Sequence, residues 1–198
     1  MRGRLLLAAG AAFVSMASAF VIKTYADALF LAEYGAAYVP HFTVAQALAL
    51  VAIASSYGRL IQSGKTLVFD VVILGAVVSF AAAAPLLASE GGAWVFGVAL
   101  GLIAGSALAQ LVVWNAATSV VSGRAARAFL PRAGAAATAG AVLGGFGSSA
   151  ILSVASLQVL APVAGGLTLV VLVMRVFLRA KRVVRRVSAQ TTVPPLEP

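Results

Sequence analysis

Two ionisable side chains lie in an otherwise apolar segment near the start of the chain. Lys23 and Asp27 belong to the stretch FVIKTYADALFLAEYGAAYVP, residues 20–40, which continues a long apolar run. Because they are four residues apart, they should share one face of a helix and pair with each other. Two interpretations are open. Lys23 either reaches the outer membrane interface beside an already hydrated Asp27, or the pair faces a polar cavity where Lys23 attracts an anionic solute.

A second polar group interrupts a later apolar run. Gln110, Trp114 and Asn115 stand close together between long stretches of alanine, leucine and valine. Gln110 and Trp114 are four residues apart and therefore share a helix face. The group either lines a cavity, where the indole ring would stack on a base or sugar, or forms hydrogen bonds between helices.

Asp70 is an acidic residue beside a predicted connection that is otherwise basic. It is predicted to pair with Arg59 or Lys65, or with Arg124 and Arg127 of a later connection. The alternative is an exposed capping or surface charge, since exposed ion pairs contribute only about 0–1 kcal/mol.

Other kinds of site find little support in the sequence. The chain has no cysteine and a single histidine, His41, which excludes disulfides and thiolate metal sites. The glycine-rich stretches GGAWVFG and GGFG lack the lysine and serine of a phosphate-binding loop. We find no Ser/His/Asp set and no acidic pair, and we expect no enzymatic activity, no cofactor and no metal.

The composition predicts an integral membrane protein. Of 198 residues, 62% are hydrophobic and 10% charged, and the mean hydropathy is +1.06. A water-soluble domain has too little polar surface at that composition. Since a spanning helix needs about 20 mostly apolar residues, we predict an all-α bundle of six transmembrane helices within a domain of residues 1–187. The predicted spans are 5–31, 43–61, 67–88, 93–119, 133–155 and 157–179.

The basic residues predict the orientation of these spans. If the N-terminus is cytoplasmic, every basic residue except Lys23 lies on the cytoplasmic side, as the positive-inside rule requires. These residues are Arg2, Arg4, Arg59, Lys65, Arg124, Arg127, Arg132, Arg175, Arg179, Lys181, Arg182, Arg185 and Arg186. The asymmetry accounts for nearly all of the net charge of +9, so we expect no nucleic-acid partner. We predict a multi-pass protein of the cell (inner) membrane with both termini in the cytoplasm.

The two ends of the chain carry further expectations. Residues 1–19 have the basic start, apolar middle and Ala-Ser-Ala end of a cleavable signal peptide. Cleavage there would leave five spans, so this alternative stays open beside the six-span prediction. Residues 188–198, SAQTTVPPLEP, have little to bury and are predicted to form a disordered tail.

Three local patterns resemble one known family of transporters. The first is YADALFLAEYGAAYVP with Lys23 and Asp27. The second is the connection YGRLIQSGKT, and the third is VVWNAATSVVSGRAARAFLPRAGAAATAGAVLGGFGSS. In this order, and over about three of the six spans, they resemble the N-terminal six-helix half of a major facilitator superfamily transporter, in its nucleotide (ATP/ADP) translocase-like branch. The residues that carry the third match are Trp114, Arg127, Pro131, Gly140, Gly144 and Gly145.

The resemblance implies a function and a partner. Transporters of this kind bind solute between two six-helix halves and alternate access by rocking. It implies that this chain moves an organic anion such as a nucleotide, together with a second copy or a separate six-helix chain. It also implies that the ion pairs expected for Asp70 would lock one gate of the transport cycle. Small residues at Ala137, Gly140, Ala141 and Gly144 predict close helix packing there. The alternative is a membrane subunit or scaffold that is derived from a transporter half and does not transport.

Overall fold

A computed structural model shows the chain as a bundle of long helices. It describes residues 2–62, 66–120 and 124–190, and their side chains except at residues 2, 4, 60–62, 66–69, 119, 120, 124–126 and 178–190. Six α-helices make up almost all of this: α1 (Arg2–Tyr34), α2 (Val39–Gln62), α3 (Thr66–Ala88), α4 (Ala93–Val120), α5 (Arg124–Val154) and α6 (Leu160–Gln190). Short 3₁₀ turns at Ala36–Tyr38 and Leu157–Val159 precede α2 and α6. The described residues contain no β-strand.

Each of the six helices is long and apolar enough to cross a membrane. The candidate spans within the described residues are Leu5–Tyr34, Ala36–Arg59, Asp70–Ala88, Ala93–Thr118, Arg127–Val154 and Leu157–Phe177. In a bilayer a helix satisfies its own backbone hydrogen bonds, which explains why alanine-rich and valine-rich runs of this length are helical here. The described residues therefore confirm the predicted all-α fold and six helices that are long and apolar enough to span a membrane.

Glycine ends helices where the backbone must turn. Gly35 has a φ of 74° and follows the last residue of α1, and its N–H donates to Leu31 O over 3.0 Å. Gly91 and Gly92, with φ of 71° and 51°, form the turn between α3 and α4. A residue without Cβ adopts this left-handed conformation at little cost.

Two prolines lie inside helices and not in breaks between them. Pro40 falls between the predicted spans 5–31 and 43–61, but it is the second residue of α2, where its missing N–H costs little. Pro131 falls between the predicted spans 93–119 and 133–155, but α5 begins at Arg124, so Pro131 lies inside it. Phe129 explains the helical connection, since it is buried against Ala8, Ala117 and Ala133 and holds the segment on the bundle.

The last helix extends beyond the predicted sixth span. The predicted sixth span ended at residue 179, whereas α6 continues to Gln190 as a basic extension. Residues 188–190 of the predicted tail are thus helical, and residues 191–198 lie outside the described part of the chain.

The hydrophobic core consists of three clusters along the bundle. One joins the end of α1 to the starts of α2, α4 and α6, and includes Phe30, Phe42, Val98 and Leu160. Another joins the start of α1 to the end of α4 and the start of α5. Successive helices therefore run antiparallel. We call the two ends of the bundle the Tyr34 end, where α1 finishes, and the Arg175 end, where α1 begins.

The principal helix pairings form a symmetric set. α1 packs on α4, α5 and α6, while α4 packs on α1, α2 and α3, and α3 packs on α6. Exchanging α1 with α4, α2 with α5 and α3 with α6 reproduces the same pairings. The bundle is thus organised as two three-helix units of opposite direction, with α1 and α4 at its centre.

Candidate functional site

The predicted pair of Lys23 and Asp27 is present on α1. Lys23 Nζ lies 2.7 Å from Asp27 Oδ2, one helical turn away. The side chains are 55% and 37% exposed, so the pair lies on the surface of the six-helix bundle and not in its core. Phe20 and Leu31 extend the same exposed side of α1. The six helices of the single chain therefore do not enclose this pair in a cavity.

The depth of this pair follows from the length of α1. The span Leu5–Tyr34 has 30 residues, about 45 Å at 1.5 Å per residue, whereas the hydrocarbon layer is about 30 Å thick. With the span centred on the bilayer, Lys23 lies about 5 Å and Asp27 about 11 Å from the midplane. Both would then lie within the hydrocarbon layer, where an uncovered charge costs a few kcal/mol.

A second ion pair is buried near the Arg175 end. Arg175 on α6 donates from Nη2 over 2.5 Å and from Nε over 3.2 Å to Oδ2 of Asp70 on α3. The Asp70 side chain is 1% exposed and that of Arg175 10%. Tyr57 on α2 donates to the other oxygen of Asp70 over 3.5 Å, and Asn115 on α4 donates to the Tyr57 hydroxyl at the same distance. This network connects four helices.

The partner of Asp70 differs from those predicted. Arg59 and Arg127 are exposed, and the side chains of Lys65 and Arg124 lie outside the described part of the structure. Sequence analysis assigned Arg175 to topology alone. Because Asp70 and Arg175 are 105 residues apart, no local spacing could have connected them.

The polar residues of α4 make contacts inside the bundle. Gln110 Nε2 donates to the backbone oxygen of Ser15 on α1 over 2.8 Å. Trp114 is partly buried and packs against two core clusters, one that contains Val112 and one that contains Ala117. Asn115 belongs to the hydrogen-bond network around Asp70. Of the two interpretations of this group, hydrogen bonding between helices is the one that Gln110 and Asn115 display in the single chain.

A small polar patch lies between α1 and α6 at a similar depth. Ser18 Oγ is 2.8 Å from Thr168 Oγ1 and donates to Ala164 O over 3.0 Å. Ser15 Oγ is buried without a hydrogen-bond partner. It borders a cavity of about 10 Å³ that Ser18 and Thr168 also line. A space of this size and polarity fits one water molecule and no solute.

Glycines 140 and 144 lie where α5 approaches α1 most closely. A Cβ atom added to Gly140 would lie within 2.1 Å of Phe13 O, and one added to Gly144 within 2.5 Å of Ala17 O. Gly145 faces open space. Gly140 and Gly144 therefore pack on α1 within the chain.

An aromatic group covers the Tyr34 end. It comprises Phe30, Tyr34, Tyr38, His41, Phe42 and Phe96, with ring centroids 4.0–6.3 Å apart. Glu33 accepts a hydrogen bond from Gly92 N–H over 2.8 Å, and the Tyr34 hydroxyl donates to Gly92 O over 2.7 Å. Sequence analysis did not identify this group. The aromatic residues recurring every four positions from 30 to 42 were the available signal.

An apolar groove lies on the surface between α3 and α4. Its volume is about 450 Å³. Phe80, Val77 and Ile73 of α3 and Gly101, Gly105 and Leu108 of α4 line it. The residues that line the groove include no charged side chain.

The described residues contain no group of three histidine, cysteine, aspartate or glutamate side chains that could hold a metal ion. Comparisons of the chain with protein-family models, with curated proteins and with solved structures found no match.

Proposed function

We propose that this chain is one half of a membrane transporter that moves an organic anion, for which a nucleotide is one candidate. In this proposal a second six-helix unit completes the transporter, and the solute passes between the two units by alternating access. The observation that carries the proposal is the exposed pair of Lys23 and Asp27 on a membrane-spanning helix.

The physical argument rests on the cost of charge in lipid. Ionisable groups within spans are rare and nearly always face protein or a water-filled cavity. The single chain leaves both side chains of the pair partly exposed. A second unit on this side of α1 would enclose the pair in a polar interface. There Lys23 would attract an anionic group, and Asp27 would orient Lys23 or exchange with the solute.

The helix arrangement supports the same proposal. Two three-helix units of opposite direction within one six-helix half are a feature of major facilitator transporters, and the symmetric pairings fit it. Together with the three sequence patterns, this favours the resemblance to that superfamily. The buried link between Asp70 and Arg175 would hold α3 and α6 together while the halves rock.

Uptake and thiol labelling test the proposal. We expect Lys23→Ala to abolish anion uptake in membranes while expression is retained, and Asp27→Asn to reduce it less, because the attracting charge remains. Lys23→Arg preserves charge but alters shape and hydration. Since the chain has no native cysteine, Lys23→Cys can be labelled alone by a water-soluble thiol reagent. We expect an organic anion to reduce the labelling of the Lys23→Cys variant.

Leu169→Cys supplies the matched control for labelling. Leu169 is also exposed in the single chain, but it lies on α6, in the middle of the span Leu157–Phe177. A lipid-facing thiol at this depth should remain unlabelled. Equal labelling at both positions, unaffected by any anion, together with normal uptake by Lys23→Ala, would refute the proposed site.

A second candidate function is a subunit or scaffold without transport activity. The apolar groove between α3 and α4 is the observation that favours it, because a partner helix would bury this surface. Leu108→Trp should fill the groove and release such a partner from the purified complex. Loss of the partner in Leu108→Trp, with no transport in the original protein, would favour the scaffold.

A further inference from the structure

The aromatic group at the Tyr34 end borders an open pocket that the proposed transport role does not use. The pocket has a volume of about 280 Å³, just below the range of about 300–1,000 Å³ typical of small-molecule sites. It is lined by Phe30, Glu33, Tyr34, Tyr38, His41 and Phe96.

The rings of this pocket meet at steep angles. Tyr38 and Phe96 stand at 64° and 86° to the ring of Tyr34, with centroids 6.2 and 6.3 Å away. Phe30, which is buried, stacks on Tyr34 at 5.0 Å. Tyr34, Tyr38 and Phe96 therefore border the same small volume with rings at different angles. Ring faces carry negative charge density and attract a cation within about 6 Å of the centroid.

The charge at this end of the bundle also favours a cation. Glu33 contributes a carboxylate to the pocket wall, and its Oε1 is held by the Gly92 N–H. Lys23, on the same helix as Glu33, is already paired with Asp27. A carboxylate fixed beside several aromatic rings matches an alkylammonium group, which needs a negative charge and apolar contact around its methyl groups.

We infer that this pocket binds a small organic cation of the quaternary ammonium class. The chemistry is shared by a free solute such as choline and by the headgroup of phosphatidylcholine. The site is separate from the Lys23–Asp27 pair and carries the opposite preference for charge, so neither proposal depends on the other.

Equilibrium binding of labelled choline to the full chain in phosphatidylglycerol nanodiscs tests the inference. We expect saturable binding, and no comparable binding of 3,3-dimethylbutan-1-ol, the uncharged analogue of the same shape. Glu33→Gln should weaken choline binding about tenfold or more, since the amide oxygen can still accept from Gly92 N–H while the charge is lost. Tyr38→Leu should weaken it about 2- to 30-fold, and Tyr38→Phe should restore it.

Glu90→Gln is the control for charge. Glu90 is exposed at the same end but does not line the pocket. Glu90→Gln therefore changes the net charge by the same amount as Glu33→Gln and should leave choline binding unchanged. Equal losses in Glu33→Gln and Glu90→Gln would overturn the inference, because they would indicate general surface attraction. Equal binding of the uncharged analogue, or no saturable binding of choline up to about 10 mM, would also overturn it.

The lipid of the nanodisc distinguishes the two sources of the cation. If phosphatidylcholine nanodiscs weaken the binding of free choline in the original protein and not in Glu33→Gln, the lipid headgroup occupies the pocket. If choline binds equally in both lipids, the pocket takes a free solute. Either result supports a quaternary ammonium site.

Discussion

Arg175 on α6 holds Asp70 on α3 through two hydrogen bonds from its guanidinium group to one carboxylate oxygen. Both side chains are buried, and the second carboxylate oxygen faces the Tyr57 hydroxyl at 3.5 Å. A buried charge that loses its partner is strongly destabilising. The two helices are therefore linked at the Arg175 end by an interaction whose removal should be measurable.

The first prediction concerns this buried pair. Asp70→Asn and Arg175→Gln should each lower the free energy of unfolding by about 3–5 kcal/mol, because each leaves one charge uncompensated. The double change Asp70→Leu with Arg175→Met should recover much of the loss, since it leaves no buried charge. Unfolding by SDS in mixed micelles, followed by circular dichroism, measures these differences.

Arg59 provides the control for this experiment. Arg59 is exposed near the same end of the bundle, so Arg59→Gln should change the stability by no more than about 0.5 kcal/mol. If the single variants at Asp70 and Arg175 unfold like Arg59→Gln, the buried pair does not contribute to stability.

The second prediction compares two neighbouring glycines. Gly144→Ala should destabilise the bundle by about 1–3 kcal/mol, because the added methyl group would overlap Ala17 O and force α1 and α5 apart. Gly145→Ala meets nothing within 4 Å and should be neutral or slightly stabilising, as alanine favours helix. Thermal stability of both variants in one detergent tests the difference. Equal effects would contradict the close α1–α5 contact.

The third prediction concerns orientation in the membrane. Both termini should be cytoplasmic, because the basic residues lie almost entirely on one side of the six spans. A reporter that works only in the cytoplasm should be active when it is fused after Ser188. A reporter that works only outside the membrane should be active when it is inserted within Ser89–Gly92. The opposite result at either position would refute the six-span orientation.

The fourth prediction concerns assembly. The purified chain should form a homodimer or a complex with another six-helix chain, because the Lys23–Asp27 pair is uncovered in the single chain. Native mass spectrometry from mild detergent measures the assembly. A monomer that transports solute by itself in liposomes would contradict this prediction.

Substitution of Gly144 should affect the stability of the chain and not its assembly directly. Its contact with Ala17 is internal to the chain, so a bulky substitution such as Gly144→Leu would damage the fold before it affected a partner. Any loss of association in this variant should therefore accompany a loss of stability. Association lost at unchanged stability would indicate that α5 contacts a partner at this residue.

The sequence by itself determined the fold class and the approximate position of every span. Apolar runs of about 20 residues must be helical in a bilayer, whatever surrounds them. The spacing of Lys23 and Asp27 was also sufficient to predict their pairing, because four residues complete about one helical turn. These properties depend on the membrane environment, which the hydropathy of the sequence indicates, and on local helix geometry, which follows from the spacing of residues.

Only the tertiary structure decided which distant residues meet. Asp70 pairs with Arg175, 105 residues away in the sequence. Phe96 contacts the rings of Phe30 and Tyr34 beside one pocket. It also decided that Lys23 is exposed on the single bundle. In a segment that is apolar on nearly all sides, hydropathy cannot identify the face that packs. The rotation of each helix follows instead from side-chain fit between helices, such as the passage of α1 over Gly140 and Gly144.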